Sequence, residues 1–199
     1  MVAQPSRISV EAWRELERNS TDVKHEYIDG HVYAMSGGSL AHSSIGINAV
    51  RVLQDMLRAA GKQCYTYNSD VATRLSSKRY TYPDASVSCD ERDRPSPDIT
   101  EIQSPRVIVE VLSDSTEAYD RGRKLGYYRA CPTIEEYVLV ASKYQSVEVY
   151  HRTPRGWIYD FYGQEDEIEL ASLSVKIAVA ALYRDAGVPV GVDDPEGKV

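Results

Sequence analysis

A strand with an acid in its middle constrains the fold of this chain more than any other stretch. Residues 106–115 read RVIVEVLSDS, and the β-branched and aliphatic run predicts a strand that is buried on both faces. Glu110 interrupts that run and shares a strand face with Ile108 and Leu112. Because ionised carboxylates are almost never fully buried alone, the run predicts a counter-charge or a metal ion facing Glu110. The alternative is an edge strand whose acid faces solvent or an arginine.

The composition is that of one globular domain with a sizeable core. The chain has 199 residues, of which 42% are hydrophobic and 27% are charged, and its formal net charge is −7. Proteins that grip nucleic acid by neutralising phosphates usually carry a basic surplus, so action on DNA would need a local cation. The 15 tyrosines against a single phenylalanine are unusual, and packing of amphipathic rings at an interface is one simple interpretation.

The lack of a recognisable targeting signal or membrane span, together with the pattern of cysteines, predicts a cytoplasmic protein without a membrane partner. No stretch approaches the roughly 18–20 apolar residues that span a bilayer, and the first twenty residues lack the apolar core of a secretory signal. Cys64, Cys89 and Cys131 are odd in number, widely separated and free of CxxC spacing. We therefore expect neither a disulfide framework nor a zinc site, and a reducing compartment.

The hydrophobic pattern predicts alternating helices and strands. Ser9 is expected to cap a helix over EAWRELERN, Asp29-Gly30 to form a hairpin turn, and Ser39 to begin a long helix that ends near Gly61. This order of elements predicts an α/β or α+β fold, with a mixed sheet flanked by helices. Further strands are expected at 63–67, 70–75, 84–89, EYVLVA, SVEVYHR and GWIYDFYG, a surface loop at ERDRPSPDITEIQSP, and helices from Ser115 or Thr116 to about Ala130 and over SVKIAVAALYRDAG.

A second acid begins a neighbouring strand candidate. Asp84 follows Pro83 at the start of PDASVSC. If that strand lies beside the Glu110 strand, two carboxylates converge and offer the hard oxygen ligands that Mg²⁺ prefers. An ordinary turn residue after a proline explains Asp84 equally well from spacing alone.

The helix after Glu110 supplies a candidate cation. Asp120 and Lys124 stand at i, i+4, which favours a surface pair worth about 0.3–0.5 kcal/mol. The functional interpretation is that Lys124 reaches over the end of the sheet to polarise an attacking water. Arg121, Arg123 and Arg129 make the same helix locally basic and a candidate contact for a phosphate backbone, with a solvated helix face as the alternative.

These motifs together resemble the Uma-type restriction endonucleases of the PD-(D/E)XK nuclease superfamily. The similarity covers roughly residues 8–180, and we expect a single restriction-endonuclease-like domain over residues 1–185, followed by a flexible tail over 186–199. The residues that carry the resemblance are PD at 83–84, EVLSDST at 110–116, D-R-x-x-K at 120–124, Tyr128, HEYIDGHVYAMSG with His42 upstream, and Leu139-Val140 downstream.

The resemblance implies a Mg²⁺ or Mn²⁺ site at the acidic strands. Asp84 and Glu110 would match the family's two strand acids, and Val111 would lend its backbone carbonyl. Glu26 would match the N-terminal acid, although by default it is an exposed position of a hairpin. His42 would match the family's helix histidine, although a lone histidine there is more often a cap or a packed residue.

The resemblance departs from the superfamily pattern at the lysine. The pattern places a lysine two residues after the strand acid, where this chain has Leu112. Either Lys124 takes over that role, with Asp120 and Tyr128 in support, or the role is lost.

Three functions remain open from the sequence. The first is a metal-dependent endonuclease that hydrolyses phosphodiester bonds in DNA. The second is a catalytically inactive nuclease fold kept as an interaction or regulatory module, which the net charge and Leu112 favour. The third is a metal-dependent hydrolase of a small phosphoester. A homodimer is expected by analogy with nucleases that cut two strands.

Overall fold

Mixed β-sheets flanked by helices make up the computed structural model, which describes residues 7–191 and confirms the predicted fold class. The helices are α1 (Val10–Asn19), α2 (Leu40–Ala59), α3 (Glu117–Tyr119), α4 (Leu125–Ala130) and α5 (Val179–Leu182), with a π-helical turn (Asp120–Lys124) between α3 and α4. The strands are β1 (His25–Ile28), β2 (His31–Ala34), β3 (Tyr65–Asn68), β4 (Ala72–Ser76), β5 (Arg79–Thr81), β6 (Ala85–Ser88), β7 (Glu101–Ile102), β8 (Pro105–Val111), β9 (Glu136–Val140), β10 (Ser146–Thr153), β11 (Gly156–Gly163), β12 (Glu167–Leu170) and β13 (Val175–Ala178).

The strands divide into a six-stranded sheet, a five-stranded sheet and a two-stranded ribbon. The six-stranded sheet has the order β11-β10-β9-β8-β6-β3, in which only β8 and β9 run parallel. The five-stranded sheet has the order β2-β1-β5-β4-β7, and β12 pairs with β13. β8 therefore lies inside the larger sheet, and the alternative of an edge strand for Glu110 is wrong.

Local signals define the first helices and the hairpin as predicted. The Ser9 side chain accepts from the backbone amide of Ala12 at the start of α1, and Ser39 caps α2 in the same way. Asp29 and Gly30 both have positive φ, at 51° and 96°, which a tight two-residue hairpin turn requires. The turn therefore fixes the register in which β1 pairs with β2.

The two faces of β8 contact different parts of the core. Val107, Val109 and Val111 face the layer formed by α2, where Ile45 and Leu53 are buried. Each such buried aliphatic side chain contributes roughly 1.5–3 kcal/mol. The opposite face carries Ile108 and Leu112 into a second cluster, which is rich in tyrosine and covered by α4. Glu110 lies on this second face, between two apolar neighbours, as the alternation predicts.

The predicted final helix begins as a strand. Val175, Ile177 and Val179 are buried and alternate with exposed Lys176 and Ala178, which is the period-2 pattern of a strand. β13 pairs with β12 over this stretch, and only the short α5 follows. The prediction of one helix over SVKIAVAALYRDAG is therefore wrong, because the alternation outweighs the helical propensity of its alanines.

The predicted surface loop at 91–105 contains ordered structure. A 3₁₀ turn at Glu91–Asp93 and the strand β7 both fall within it. The Asp93 carboxylate is buried and accepts from the Ser88 hydroxyl and from the backbone amides of Gln103 and Ser104. These hydrogen bonds fold the proline-rich segment against the sheet, which composition alone does not reveal.

The prediction that the chain has no disulfide is wrong. Cys64 and Cys89 are bonded to each other, and Cys131 is free and buried. Cys64 precedes β3 and Cys89 follows β6, and these strands pair with Tyr65 opposite Ser88. Strand pairing therefore brings together two cysteines that are 25 residues apart in the chain.

The start of the predicted flexible tail packs against the sheet. Ala186 and Val188 are buried, and the Gln145 side chain donates to the carbonyl of Val188. Residues 192–199 of that predicted tail lie outside the described residues. Within residues 7–191, no helix has the length and apolar character needed to cross a membrane.

Candidate active site

A cavity of about 330 Å³ gathers most of the residues singled out from the sequence. It lies between the β1–β2 hairpin, the first turn of α2 and the helical segment that follows β8. Its floor is formed by the ends of β6 and β8. The predicted site residues that line it are Glu26, His42, Asp84, Glu110, Val111, Asp120, Arg123 and Lys124.

Glu110 faces a lysine and a tyrosine at the bottom of this cavity. Its side chain is buried, and Oε1 lies 2.7 Å from the Lys124 Nζ. The Tyr128 hydroxyl donates to the same oxygen at 2.5 Å. Lys124 therefore occupies the place of the counter-charge that the strand pattern requires.

Lys124 is shared among several acids rather than paired on the surface. Its Nζ lies 3.0 Å from Glu26 Oε1 and 3.7 Å from Asp120 Oδ1, and all three side chains are buried. The interpretation of Asp120 and Lys124 as a surface pair is therefore wrong, as is the default of an exposed Glu26. The π-helical turn over Asp120–Lys124 directs both residues inward, and such turns are frequent at functional sites.

Burial and the neighbouring charges shift the pKa values of the residues in this cluster. Burial raises the pKa of Glu110 to about 8, although the charge of Lys124 opposes this rise. Burial also raises the pKa of Asp120. Burial alone would lower the pKa of Lys124, but the carboxylates of Glu110 and Glu26 hold it well above the usual value. The lysine therefore stays charged, and the three acids Glu26, Glu110 and Asp120 share one cation.

Asp84 is held beside Glu110 by the pairing of β6 with β8. Its Oδ2 accepts from the backbone amide of Val111 at 2.7 Å, next to Glu110 in the chain. The His42 Nε2 lies 3.4 Å from the same oxygen. Hydrogen bonds to Asp84 and to the backbone of Val111 raise the pKa of His42, and burial opposes that rise. The interpretation of His42 as a simple cap is therefore wrong, because its ring faces the acids.

The donor set suits a hard divalent cation. Among residues 7–191, no group of three or more His, Cys, Asp or Glu side chains converges as a metal cluster. Mg²⁺ needs only one or two carboxylates, because it keeps several waters and takes substrate phosphate oxygens. Glu26 Oε1 and Asp120 Oδ1 are buried and have no hydrogen-bond partner beyond their ion pairs with Lys124, so several acidic oxygens share a single ammonium group in the cavity. Asp84, Glu110 and the Val111 carbonyl are residues that fit such an ion.

The three predicted phosphate-contacting arginines differ in their environment. Arg121 forms ion pairs with Glu117 and Glu148, at 2.8 and 2.6 Å, so its charge is already compensated. Arg123 is exposed at the cavity, and Arg129 is exposed on α4. Only Arg123 of the three lines the cavity.

Apart from Tyr128, the aromatic side chains around the cluster were not predicted from the sequence. The Tyr119 hydroxyl donates to Glu26 Oε2 at 3.4 Å, across 93 positions of the chain. Tyr33, Tyr82 and Tyr127 also line the cavity. The excess of tyrosine in the composition was the available signal, but no spacing within the chain assigns these particular residues to the site.

The sequence model of the Uma2 family, described as "Putative restriction endonuclease", matches residues 10–182. The chain belongs to the Uma2 family. This assignment confirms the resemblance on which the predicted site residues rest. The Uma2 match covers both strand acids, His42 and the helix that carries Lys124.

Related proteins cover nearly the whole chain. Uncharacterized protein slr1290 of Synechocystis is 41% identical over 174 residues, which are 86% of this chain and 87% of that protein. Uncharacterized protein sll1609 of the same organism is 28% identical over 178 residues, which are 88% of this chain and 99% of that protein. A solved structure from Anabaena variabilis, titled a putative nuclease belonging to DUF820, has a TM-score of 0.73 at 16% identity and covers 90% of this chain and 99% of its own. At that identity the similarity establishes the fold.

Proposed function

We propose that this protein is a metal-dependent endonuclease that hydrolyses phosphodiester bonds in DNA. The observation that carries the proposal is the position of Lys124, whose Nζ lies 2.7 Å from Glu110 at the end of the strand beside Asp84. An acid pair with an adjacent buried lysine is the donor set that the nuclease superfamily pattern requires. Membership of the Uma2 family supports the same reaction class.

Asp84, Glu110 and the Val111 carbonyl would hold Mg²⁺ or Mn²⁺, and Glu26 is a further acid within the same cavity. When bound, the ion lowers the pKa of a coordinated water and compensates negative charge on the phosphate. The chain's own residues then position the reactants. Lys124 keeps its proton because of the surrounding carboxylates, so it can donate a hydrogen bond to the attacking water or to a phosphate oxygen.

Two other residues orient this machinery. Tyr128 fixes one oxygen of Glu110 through its hydroxyl, so the second oxygen is the one available to a ligand. His42 restrains Asp84, since its Nε2 lies 3.4 Å from the Asp84 Oδ2 and the carboxylate raises the pKa of the ring. Arg123 at the mouth of the cavity is the cation best placed to meet a phosphate of the substrate backbone.

The first test is binding of Mn²⁺ by isothermal titration calorimetry. The wild-type protein is compared with Glu110→Gln and with Glu165→Gln, in which an exposed acid far from the cavity is changed in the same way. Binding that is retained by the control and lost in Glu110→Gln supports a metal site at Glu110. A folded wild-type protein that binds no Mn²⁺ would contradict the proposal.

Cleavage is measured next on a supercoiled plasmid with Mn²⁺ or Mg²⁺. We expect nicked or linear product from the wild type and loss of product from Glu110→Gln, Asp84→Asn and Lys124→Met. Metal binding without cleavage of plasmid, of single-stranded DNA or of RNA would favour the hydrolase of a small phosphoester, and competition with nucleotides would test that directly. Normal folding with neither activity would favour the inactive interaction module.

A further inference from the structure

β11 is an edge strand with an unusual surface. Among the strands of residues 7–191, it pairs with β10 alone, so its other side presents unpaired backbone amides and carbonyls. Ile158, Tyr159 and Phe161 are 52%, 51% and 41% exposed. Natural sheets usually protect such edges with charges, prolines or short strands, whereas β11 is eight residues long and carries a single charge, at Asp160. Such an edge offers unpaired backbone groups to another strand.

The side chains of β11 divide into an aromatic face and a mixed face. Trp157, Tyr159 and Phe161 alternate along one face, which continues the tyrosine-rich cluster of the sheet. Tyr159 packs against Tyr150, and the chain of rings continues through Tyr137 to Tyr128, with centroid separations of 5.3, 6.3 and 4.8 Å. A ladder of aromatic rings therefore runs from the edge strand to the tyrosine that hydrogen-bonds Glu110.

We propose that β11 is the surface through which two copies of this chain pair, in an antiparallel register centred on Tyr159. A two-fold axis perpendicular to a sheet keeps its two faces distinct, so residues that lie opposite each other must belong to the same face. The centre of the pair must then be a residue rather than a point between residues. In the middle of the strand the two choices are Tyr159 and Asp160.

The side chains decide between these registers. Centred on Tyr159, each Trp157 lies opposite Phe161 of the other copy, and the two Tyr159 rings lie opposite each other. Six aromatic side chains then form one continuous row, and such cross-strand pairs are favourable. Centred on Asp160, the two carboxylates would lie opposite each other, which is destabilising. In the Tyr159 register, Asp160 lies opposite Ile158 and keeps its contact with His151.

This pairing would have a consequence for the candidate site. Because the two-fold axis preserves the faces of the sheet, the Glu110 side chains of both copies point to the same side of one continuous twelve-stranded sheet. The two cavities would therefore be accessible from one side of the dimer. The pairing itself does not depend on the proposed endonuclease activity.

The oligomeric state tests the surface. Sedimentation velocity of the full chain over a range of concentrations should show a reversible dimer. Tyr159→Lys places two like charges opposite each other and should weaken dimerisation by more than about tenfold. Val23→Lys, which adds the same charge at a similarly exposed apolar position away from β11, should dimerise like the wild type. A wild-type monomer at every concentration, or a Tyr159→Lys variant that dimerises normally, would overturn the proposal.

Disulfide trapping tests the register and does not depend on the lysine variant. The native cysteines do not interfere, because Cys64 and Cys89 are bonded and Cys131 is buried. Under mild oxidation, Tyr159→Cys should form a covalent dimer, since directly opposed residues of paired strands have Cα atoms about 4.5–5.5 Å apart, within disulfide range. Asp160→Cys should form much less. A stronger cross-link from Asp160→Cys than from Tyr159→Cys would refute the proposed register.

Discussion

Replacing Glu110 with glutamine tests the electrostatics of the buried cluster without any knowledge of the substrate. Burial raises the pKa of Glu110 from its ordinary 4.5 to about 8 in the folded protein. The folded state therefore keeps a proton that the unfolded state loses as the pH rises through this window. Stability is favoured below about pH 4.5 and is lost progressively up to about pH 8. Glutamine does not titrate, so the variant lacks this dependence.

The magnitude follows from the size of the rise in pKa. At about 1.36 kcal/mol for each pH unit, the full window corresponds to about 5 kcal/mol if Glu110 titrates alone. About three of these pH units lie between pH 5 and pH 8, so we expect the stability of Glu110→Gln relative to the wild type to rise by about 2–4 kcal/mol over that range. Loss of the contact with Lys124 adds an offset that changes less with pH.

The assay is urea denaturation in EDTA, followed by the fluorescence of Trp13 and Trp157, at several pH values from 5 to 8. Trp13 is buried and Trp157 is partly buried, so both report on unfolding. Glu165→Gln is the matched control, since it makes the same change at an exposed acid that does not line the cavity. A difference between wild type and Glu110→Gln that stays constant with pH, or falls as the pH rises, would refute the assignment of Glu110 as the group whose charging is opposed by burial.

Three further perturbations test other parts of the structure. Lys124→Met removes the cation that, within residues 7–191, forms ion pairs with Glu26, Glu110 and Asp120. It should cost about 3–5 kcal/mol of unfolding free energy at pH 8 but less at pH 5, and an equal loss at both would contradict the shared ion pair. Reduction of Cys64–Cys89 should cost about 3 kcal/mol, measured by urea denaturation with and without dithiothreitol, with Cys64→Ser insensitive to reductant. Tyr128→Phe removes a donor to Glu110 and should weaken Mn²⁺ binding in calorimetry more at pH 6 than at pH 8; unchanged affinity at both would exclude that role.

Patterns that act within a few residues were sufficient for much of the fold. Ser9 and Ser39 cap their helices, and Asp29-Gly30 forms the hairpin turn, because each of these effects is local. The strand of Glu110 was equally clear from its β-branched run. The strand β13 was mistaken for a helix because alanine-rich segments satisfy both periodicities over a short length, and only the pairing with β12 distinguishes them.

Contacts between distant segments were less accessible from the sequence. The Cys64–Cys89 bond depends on the pairing of β3 with β6, and the residues next to each cysteine in the sequence do not indicate that pairing. Glu26 looked like an exposed hairpin position, and it is buried because the cluster around Lys124 closes over it. The two strand acids could be placed together from the sequence only on the condition that their strands pair, and β6 does pair with β8.

The lysine of the candidate site lies outside the spacing that the superfamily pattern prescribes. Leu112, directly after β8, lies on the same face as Glu110 and packs in the aromatic cluster of Tyr128 and Tyr137. Lys124 approaches the Glu110 carboxylate from the helical segment above the sheet instead. The acid and its cation are thus 14 positions apart in the chain, so the two-residue spacing of the superfamily pattern fails. The i, i+4 spacing of Asp120 and Lys124 predicts an ion pair that includes this lysine, but it does not predict that the pair is buried. Burial is what distinguishes this pair from an ion pair on the surface of a helix.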